Sequence, residues 1–492
     1  MSLDCANYQS FLAVSRLRAS TKGHRPHAVE TGSDRGRIIF SSAFRRLQQK
    51  AQVFPLDSNA AVRTRLTHSL EVAHTGRYLA QEIIYRIRTE IGKAYTTTWL
   101  SAHEAVLTDI VEAACLIHDI GNPPFGHFGE AAIRDWFRET GKAAFAKFAK
   151  SVPMRKPAIE EYLKGPFTDF LAFDGNPQGL RLVTKLQGND GATGLNLTCA
   201  LLMAYLKYSC PPMKCRFIDP TAKSKKPGYF HTEADLIERC IAQLGMRPNA
   251  RHPLSYIMEA ADDISYCMSD MEDGIEKRVV SVDDLFVAVR ALWQGKRKNN
   301  PTLRKNYADM LIAKAKRETV IEPFVSFKTT VINDAVEYAA DVYVRDHDEI
   351  LRGRHKGLMR GEAEIVALLE VVKEFVQGTV FRAEDAENVE LAGYSTIRGL
   401  LDHFSPLLQL PTGKFRKLVL NEPVKMLDYE KRLVNRLSKK SKKVYANSPR
   451  RRLHPAAEWH DRAHLVVDHI SGMTDNYAVR THQLLAGIKI VA

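Results

Sequence analysis

The sequence predicts an all-α fold. Three observations carry that expectation: apolar residues recur at helical spacing in long windows, helix-ending chemistry follows them, and strand-like pieces such as Val279-Val280-Ser281-Val282 stay short and isolated. In the first window Val72, Leu79, Ile83 and Ile87 form a stripe, with Glu82, Arg86 and Arg88 set off from it. A second helix carries Leu107, Val111 and Ala114 on one face, which continues into His118. It stops at Gly121, just before Pro123 and Pro124. A third runs through Ile257, Ala261, Ile264, Met268 and Met271 in steps of four and three, the pattern of a core seam. The basic run Lys296–Lys298 and the Asn299-Asn300-Pro301 break predict a linker near residue 297, and Ser438–Arg452 reads as a solvated basic loop. We therefore expect a first region over 1–290 and a second helical region over 291–492.

Composition narrows the function classes. The 492 residues include 71 Lys or Arg and 57 Asp or Glu, a formal charge of +14, with 45% hydrophobic and 26% charged residues. These are globular values, so disorder throughout is excluded. No run approaches the ~20 apolar residues of a membrane helix. The stretch Met1-Ser2-Leu3-Asp4 lacks the charged-then-apolar pattern of a secretory signal, so a cytoplasmic protein is expected. Seven cysteines, an odd number, fit reduced thiols. Cys210 and Cys215 have no second pair to complete a zinc knuckle.

Three separated segments offer metal-ligand side chains: His68, the doublet His118-Asp119, and Asp262. Two imidazoles and two carboxylates suit Mn²⁺, Mg²⁺, Fe or Co²⁺. Neighbouring residues on a helix point about 100° apart, so His118 and Asp119 reach one ion only at a helix end, where Gly121 puts them. Asp263 competes with Asp262. Asp262 is preferred because Tyr266 and Asp270 follow at four and eight residues and make one polar stripe beside the apolar seam.

These residues reproduce the H…HD…D signature of the HD phosphohydrolase superfamily. Longer blocks, Ser41–Leu56, Arg63–Ser69, His118–Glu130, Glu259–Tyr266 and Ile470–Asp475, resemble the deoxyguanosinetriphosphate triphosphohydrolase (dGTPase) family in the family's order. The resemblance implies an HD-domain helical bundle with an additional C-terminal helical region. It implies one-step hydrolysis of a deoxynucleoside triphosphate, dGTP favoured, to deoxynucleoside and inorganic triphosphate. By motif match, His68, His118, Asp119 and Asp262 hold a divalent ion, Mn²⁺ or Mg²⁺ with Co²⁺ as a third option.

His127 stands three residues before Glu130, and the resemblance gives this pair acid–base duty near the scissile bond. Arg65, three residues before His68, is expected to face the same side and bind phosphate. Lys226, accompanied by Tyr229, matches a segment that reaches the triphosphate. Gln52 and Asp270 match positions that read the 3′-hydroxyl, and Tyr266 is the aromatic expected to crowd out a 2′-hydroxyl. Phe381, Glu390 and Arg432 match the base end of the pocket. Two departures stand out. Asp174-Gly175-Asn176-Pro177-Gln178 replaces a Glu-Gly-Asn-Ala-Gln pattern, from which Asn176 and Gln178 carry over, and Pro423 stands where an arginine is expected.

The positive charge collects late, in Lys431-Arg432, Arg436, Lys439-Lys440, Lys442-Lys443 and Arg450–Arg452, with Tyr429 and Tyr445 interleaved. Such a patch solubilises the surface and draws in polyanions. It also suits a single nucleic-acid strand, so single-stranded DNA is a candidate regulator. The resemblance adds a homo-oligomer, a hexamer or another dimer-based assembly. Two competing readings are an HD enzyme acting on another nucleotide phosphate ester and a non-catalytic single-stranded DNA-binding protein.

Overall fold

A computed structural model describes residues 5, 7–23, 25–56, 59–188, 191–222, 224–449 and 454–488. Among these residues the secondary structure is helical, with three isolated β-bridges and no strand. None of these helices is long and apolar enough to cross a membrane.

The helices that position the site are α1 (His27–Ile39), α2 (Arg65–Ile91), α3 (Glu104–Ile117), α4 (Gly126–Trp136), α5 (Gly175–Arg181), α6 (Pro253–Glu276), α7 (Pro323–Arg345), α8 (Glu364–Phe375), α9 (Glu384–Gln409), α10 (Asp428–Arg436), α11 (Lys439–Asn447), α12 (Pro455–Ser471) and α13 (Asp475–Leu485). Helix α2 starts where the Thr64 side chain accepts a hydrogen bond from the Thr67 N–H, and it ends at Gly92 in a left-handed conformation (φ 65°). Its predicted stripe, Val72, Leu79, Ile83 and Ile87, is fully buried. Helix α6 begins on a His252 cap with Pro253 in its first turn, where a missing N–H costs nothing. Its seam, Ile257 to Met271, is buried against α2 and α3. Each such side chain contributes roughly 1.5–3 kcal/mol on leaving water. Gly76 lets α2 and α3 approach closely, since a Cβ there would stand 2.5 Å from Cys115 Sγ.

Helix α7 covers the far side of α2, and α1 covers α3. A second apolar core gathers Trp136, Phe137, Phe145, Phe167 and Phe170 around Trp459 of α12. Helix α9 runs along it, packed on α4, α12 and α13. All seven cysteines are buried thiols, and no disulfide joins them.

Two sequence expectations are corrected. The linker near 297 lies inside a helix, Val282–Asn299, which Ser281 caps by accepting from the Asp284 N–H. Lys296, Arg297 and Lys298 occupy its last turn, where cations complement the negative end of the helix dipole, so the basic run marks a helix end. The expected loop from Ser438 is in large part α11, capped by Ser438 and held down by buried Val444 and Tyr445. Arg450, Arg451 and Arg452 lie outside the described residues.

Candidate active site

The inner faces of α2, α3 and α6 converge on one point. His68 lies in the first turn of α2 and is 1% exposed, His118 is the C-cap residue just after α3, and Asp262 lies mid-way along α6. Asp262 Oδ1 is 3.6 Å from His68 Nε2 and 3.5 Å from His118 Nε2, and Asp119 Oδ1 is 3.6 Å from His118 Nε2. His118 Nδ1 lies 2.7 Å from the Cys115 carbonyl, to which it donates, leaving the Nε2 lone pair facing the carboxylates. Neither nitrogen of His68, nor Nε2 of His118, has a hydrogen-bond partner. Buried imidazole nitrogens are costly to leave unsatisfied, and here they face carboxylates at the spacing of ligands around one cation. The donor set fits a divalent ion.

Electrostatics supports the same fit. Burial alone would raise the Asp119 carboxyl, but His118 and Arg65 outweigh it and hold it down at about 2. Burial likewise opposes ionisation of Asp262, yet His118 and His68 hold it far below the carboxylate range. Asp263, the competing acid, faces away from the imidazoles: its Oδ1 pairs with Lys373 Nζ at 3.1 Å.

His118, Asp119 and Asp262 of this cluster line a cavity of 470 Å³, the size range of small-molecule sites. A left-handed turn at Phe125 (φ 61°) and Gly126 (φ 52°) starts α4 and delivers His127 to its rim. His127 Nδ1 donates to Glu130 Oε2 at 2.9 Å, while Glu130 Oε1 accepts from the Gly175 N–H at 2.7 Å. Glu130 is buried and the His127 side chain is 79% exposed. The hydrogen bond that His127 donates to Glu130 raises the His127 pKa above its ordinary value. Burial would push Glu130 up, but the same hydrogen bond outweighs it and holds the carboxyl at about 2.

The loop that joins these parts is clasped from the C-terminal side. Buried Lys50 donates to the Asn122 carbonyl at 2.5 Å and to the Ser471 carbonyl at 2.8 Å. Asp475 accepts from the N–H groups of Ala51 at 2.9 Å and Phe125 at 3.1 Å.

Residues 65–157 match the HD domain family, and residues 416–484 match the phosphohydrolase-associated domain family. The chain is 38% identical over 484 residues to a deoxyguanosinetriphosphate triphosphohydrolase of Enterobacter sp. (strain 638), covering 93% of this chain and 94% of that protein. It is 39% identical over 491 residues to the protein of that name from Salmonella typhimurium, covering 93% of each. It is 37% identical over 482 residues to the Klebsiella pneumoniae protein of the same name, covering 93% of this chain and 94% of that one. The chain belongs to the deoxyguanosinetriphosphate triphosphohydrolase family.

In this member of the triphosphohydrolase family, His68, His118, Asp119, His127 and Glu130 fall inside the HD match, and Asp262 lies beyond its end. Of the other residues expected from sequence, Gln52, Arg65, Asn176, Lys226, Tyr266, Asp270, Phe381 and Glu390 line the cavity. Arg65 is tied down, with Nη1 2.5 Å from Asp119 Oδ2 and 3.2 Å from Gln52 Oε1. Lys226 pairs with buried Asp174 at 2.7 Å. Asp270 is fully buried, and burial raises its carboxyl to about 7. The Tyr266 and Phe381 rings stand 6.5 Å apart. Burial raises the Glu390 carboxyl too.

Three expected residues lie elsewhere. Tyr229 is half-buried against the main core and does not line the cavity. Arg432 is exposed on α10, bonded to the Asp428 carbonyl of its own helix, because the polar face of α10 turns to solvent. Gln178 donates to Asp468 at 3.0 Å inside the core. The Pro177 departure is benign: Asp174 caps α5 through the Asn176 N–H, and Pro177 sits in the first turn.

Sequence reasoning missed Lys207, Tyr208, Lys373 and Asn122, which also line the cavity. Lys207 Nζ lies 3.7 Å from both Glu259 Oε1 and Asp262 Oδ2. Burial opposes its charge, but these carboxylates raise its pKa. The available signal was a lysine two residues past the apolar helix Cys199–Tyr205.

Proposed function

We propose that the protein hydrolyses deoxynucleoside triphosphates, with dGTP favoured, to deoxynucleoside and inorganic triphosphate. One observation supports this reading: His118, Asp119 and Asp262, with His68 behind them, and a His–Glu pair meet at one cavity that also holds Arg65, Lys207 and Lys226. His68, His118, Asp119 and Asp262 would hold a divalent ion, Mn²⁺ or Mg²⁺. When bound, that ion supplies Lewis acidity toward a water and a phosphate oxygen.

The side chains divide the remaining work. Arg65, Lys207 and Lys226 bring positive charge to the triphosphate, and the Asp119 pair fixes the fork of Arg65 before substrate arrives. His127, its charged form favoured by Glu130, donates a proton to the leaving 5′-oxygen. Gln52 and Asp270 take the 3′-hydroxyl, and the Tyr266 ring closes the space a 2′-hydroxyl would need. Phe381 and Glu390 lie toward the base, and Arg432 is assigned there by motif match alone.

With this reading go a cytoplasmic location, a homo-oligomer, and single-stranded DNA as a regulator rather than a substrate. The last is supported by exposed Lys439, Lys440 and Lys443 on α11. The deciding experiment is product analysis on the four dNTPs with Mn²⁺ or Mg²⁺. Release of intact triphosphate, fastest from dGTP, is expected. Stepwise phosphate release, or four untouched dNTPs, would overturn the proposal.

A further inference from the structure

A second cluster of ligand-type side chains lies deep in the aromatic core, away from the cavity. Asp169, in the helical turn Thr168–Leu171, is fully buried. His460 and His464, one turn apart on α12, approach the same carboxylate oxygen: their Nε2 atoms stand 3.2 Å and 3.4 Å from Asp169 Oδ2. Both histidines are fully buried, with ring centroids 4.6 Å apart at 84°. His231 holds the carboxylate from the other side, its Nδ1 2.6 Å from Oδ1 and its backbone N–H 3.1 Å and 3.0 Å from the two oxygens.

Two features set this apart from an ordinary buried ion pair. Among the described residues, the side chains within ion-pair distance of Asp169 are all histidines. The nearby Arg181 is committed to Asp468 and Glu233. A carboxylate removed from water without an arginine or lysine is strongly unfavourable unless another cation compensates it. Second, the nitrogen-to-oxygen separations match the edges of a tetrahedron with metal–ligand bonds of about 2.0–2.1 Å. The catalytic cluster shows the same pattern, one Asp262 oxygen facing two Nε2 atoms at 3.5 Å and 3.6 Å.

We infer that Asp169, His460 and His464 form a second, closed metal site of zinc type, with His231 orienting the carboxylate. Zn²⁺ takes both imidazole nitrogen and carboxylate oxygen, and a water fills the fourth position because His231 already engages Oδ1. The site clips together the Thr168–Leu171 turn, the turn at His231 and α12. Asp174 follows Asp169 by five residues and Lys226 precedes His231 by five, so the clip anchors both ends of the Asp174–Lys226 pair at the cavity. Its role is structural, and it stands whether or not the substrate is a deoxynucleoside triphosphate.

The test begins with the His68→Ala/His118→Ala variant, which lacks the catalytic imidazoles. Dialysed from one equivalent of zinc into zinc-free buffer, it should retain about one zinc per chain by atomic absorption. Adding His460→Gln and His464→Gln should reduce this to about zero. Equal zinc content in the two proteins, or none in either, would overturn the inference and leave the histidines as hydrogen-bond donors to a lone carboxylate. If the fourfold variant does not fold, anomalous diffraction from zinc-grown wild-type crystals decides. A zinc peak bonded to both Nε2 atoms is expected, and its absence beside an occupied catalytic site refutes the clip.

Discussion

The histidines of the site illustrate how one residue type takes two roles. His118 is fixed by its own helix end through the Cys115 carbonyl, whereas His127 is exposed and set by Glu130. Asp119→Ala should therefore abolish both metal binding and turnover. His127→Ala should keep the metal and lower kcat by about 10² to 10⁴. Calorimetric metal titration beside steady-state kinetics checks both, and equal metal loss in the two variants would refute the assignment of His127. The pH profile tests the partner. Because Glu130 raises the His127 pKa, the protonated donor persists to higher pH and is lost as pH rises through that raised value. Glu130→Gln removes the stabilising carboxylate, so the alkaline limb of kcat should move to lower pH. An unmoved limb would mean that His127 does not donate the proton. The candidate ligand set came from the motif match; periodicity added only that His118 continues an apolar stripe and that Asp262 begins a polar one. Lys207 and Lys373 were not legible in sequence, since each meets its carboxylates only after distant helices pack.

At the scale of elements, the turn after α3 carries the site because nothing larger than hydrogen fits at Gly121. A Cβ there would overlap the backbone of Gly175 and Gly179 in α5. Gly121→Ala should cost about 1–3 kcal/mol by overpacking and displace Gly175 from Glu130, lowering turnover as well. Urea unfolding and kcat measured together check this, and unchanged values for both would show that the contact yields freely. Helix interiors were readable from periodicity, but ends were less so. The Lys296–Lys298 run and the Ser438 segment both looked like breaks because charge density alone does not separate a loop from a helix terminus or a solvated helix face.

Over the whole molecule, charge is distributed by task. The cavity balances its cations against carboxylates, while α11 leaves Lys439, Lys440 and Lys443 exposed. Replacing those three with glutamine should flatten the dependence of single-stranded DNA binding on salt and leave the Mn²⁺-supported rate without DNA near its wild-type value. A fluorescence anisotropy titration at several salt concentrations measures the slope, and an unchanged slope excludes these lysines from the DNA contact. The global arrangement was the part least readable from sequence. Apolar patterns identified the helices, but nothing local revealed that residues 125–173 share their core with residues after 397.

Lys50 and Asp475 add a dimension of time. The loop after α3 is held by Lys50, and that lysine leans on a carbonyl 421 positions later. A ribosome building this protein therefore has every proposed acid–base and phosphate-binding group of the cavity in hand before the residue at the far end of that strut is made. The brace closes only after residue 471 has been added, and a chain stopped short of it has the cavity's side chains without that support.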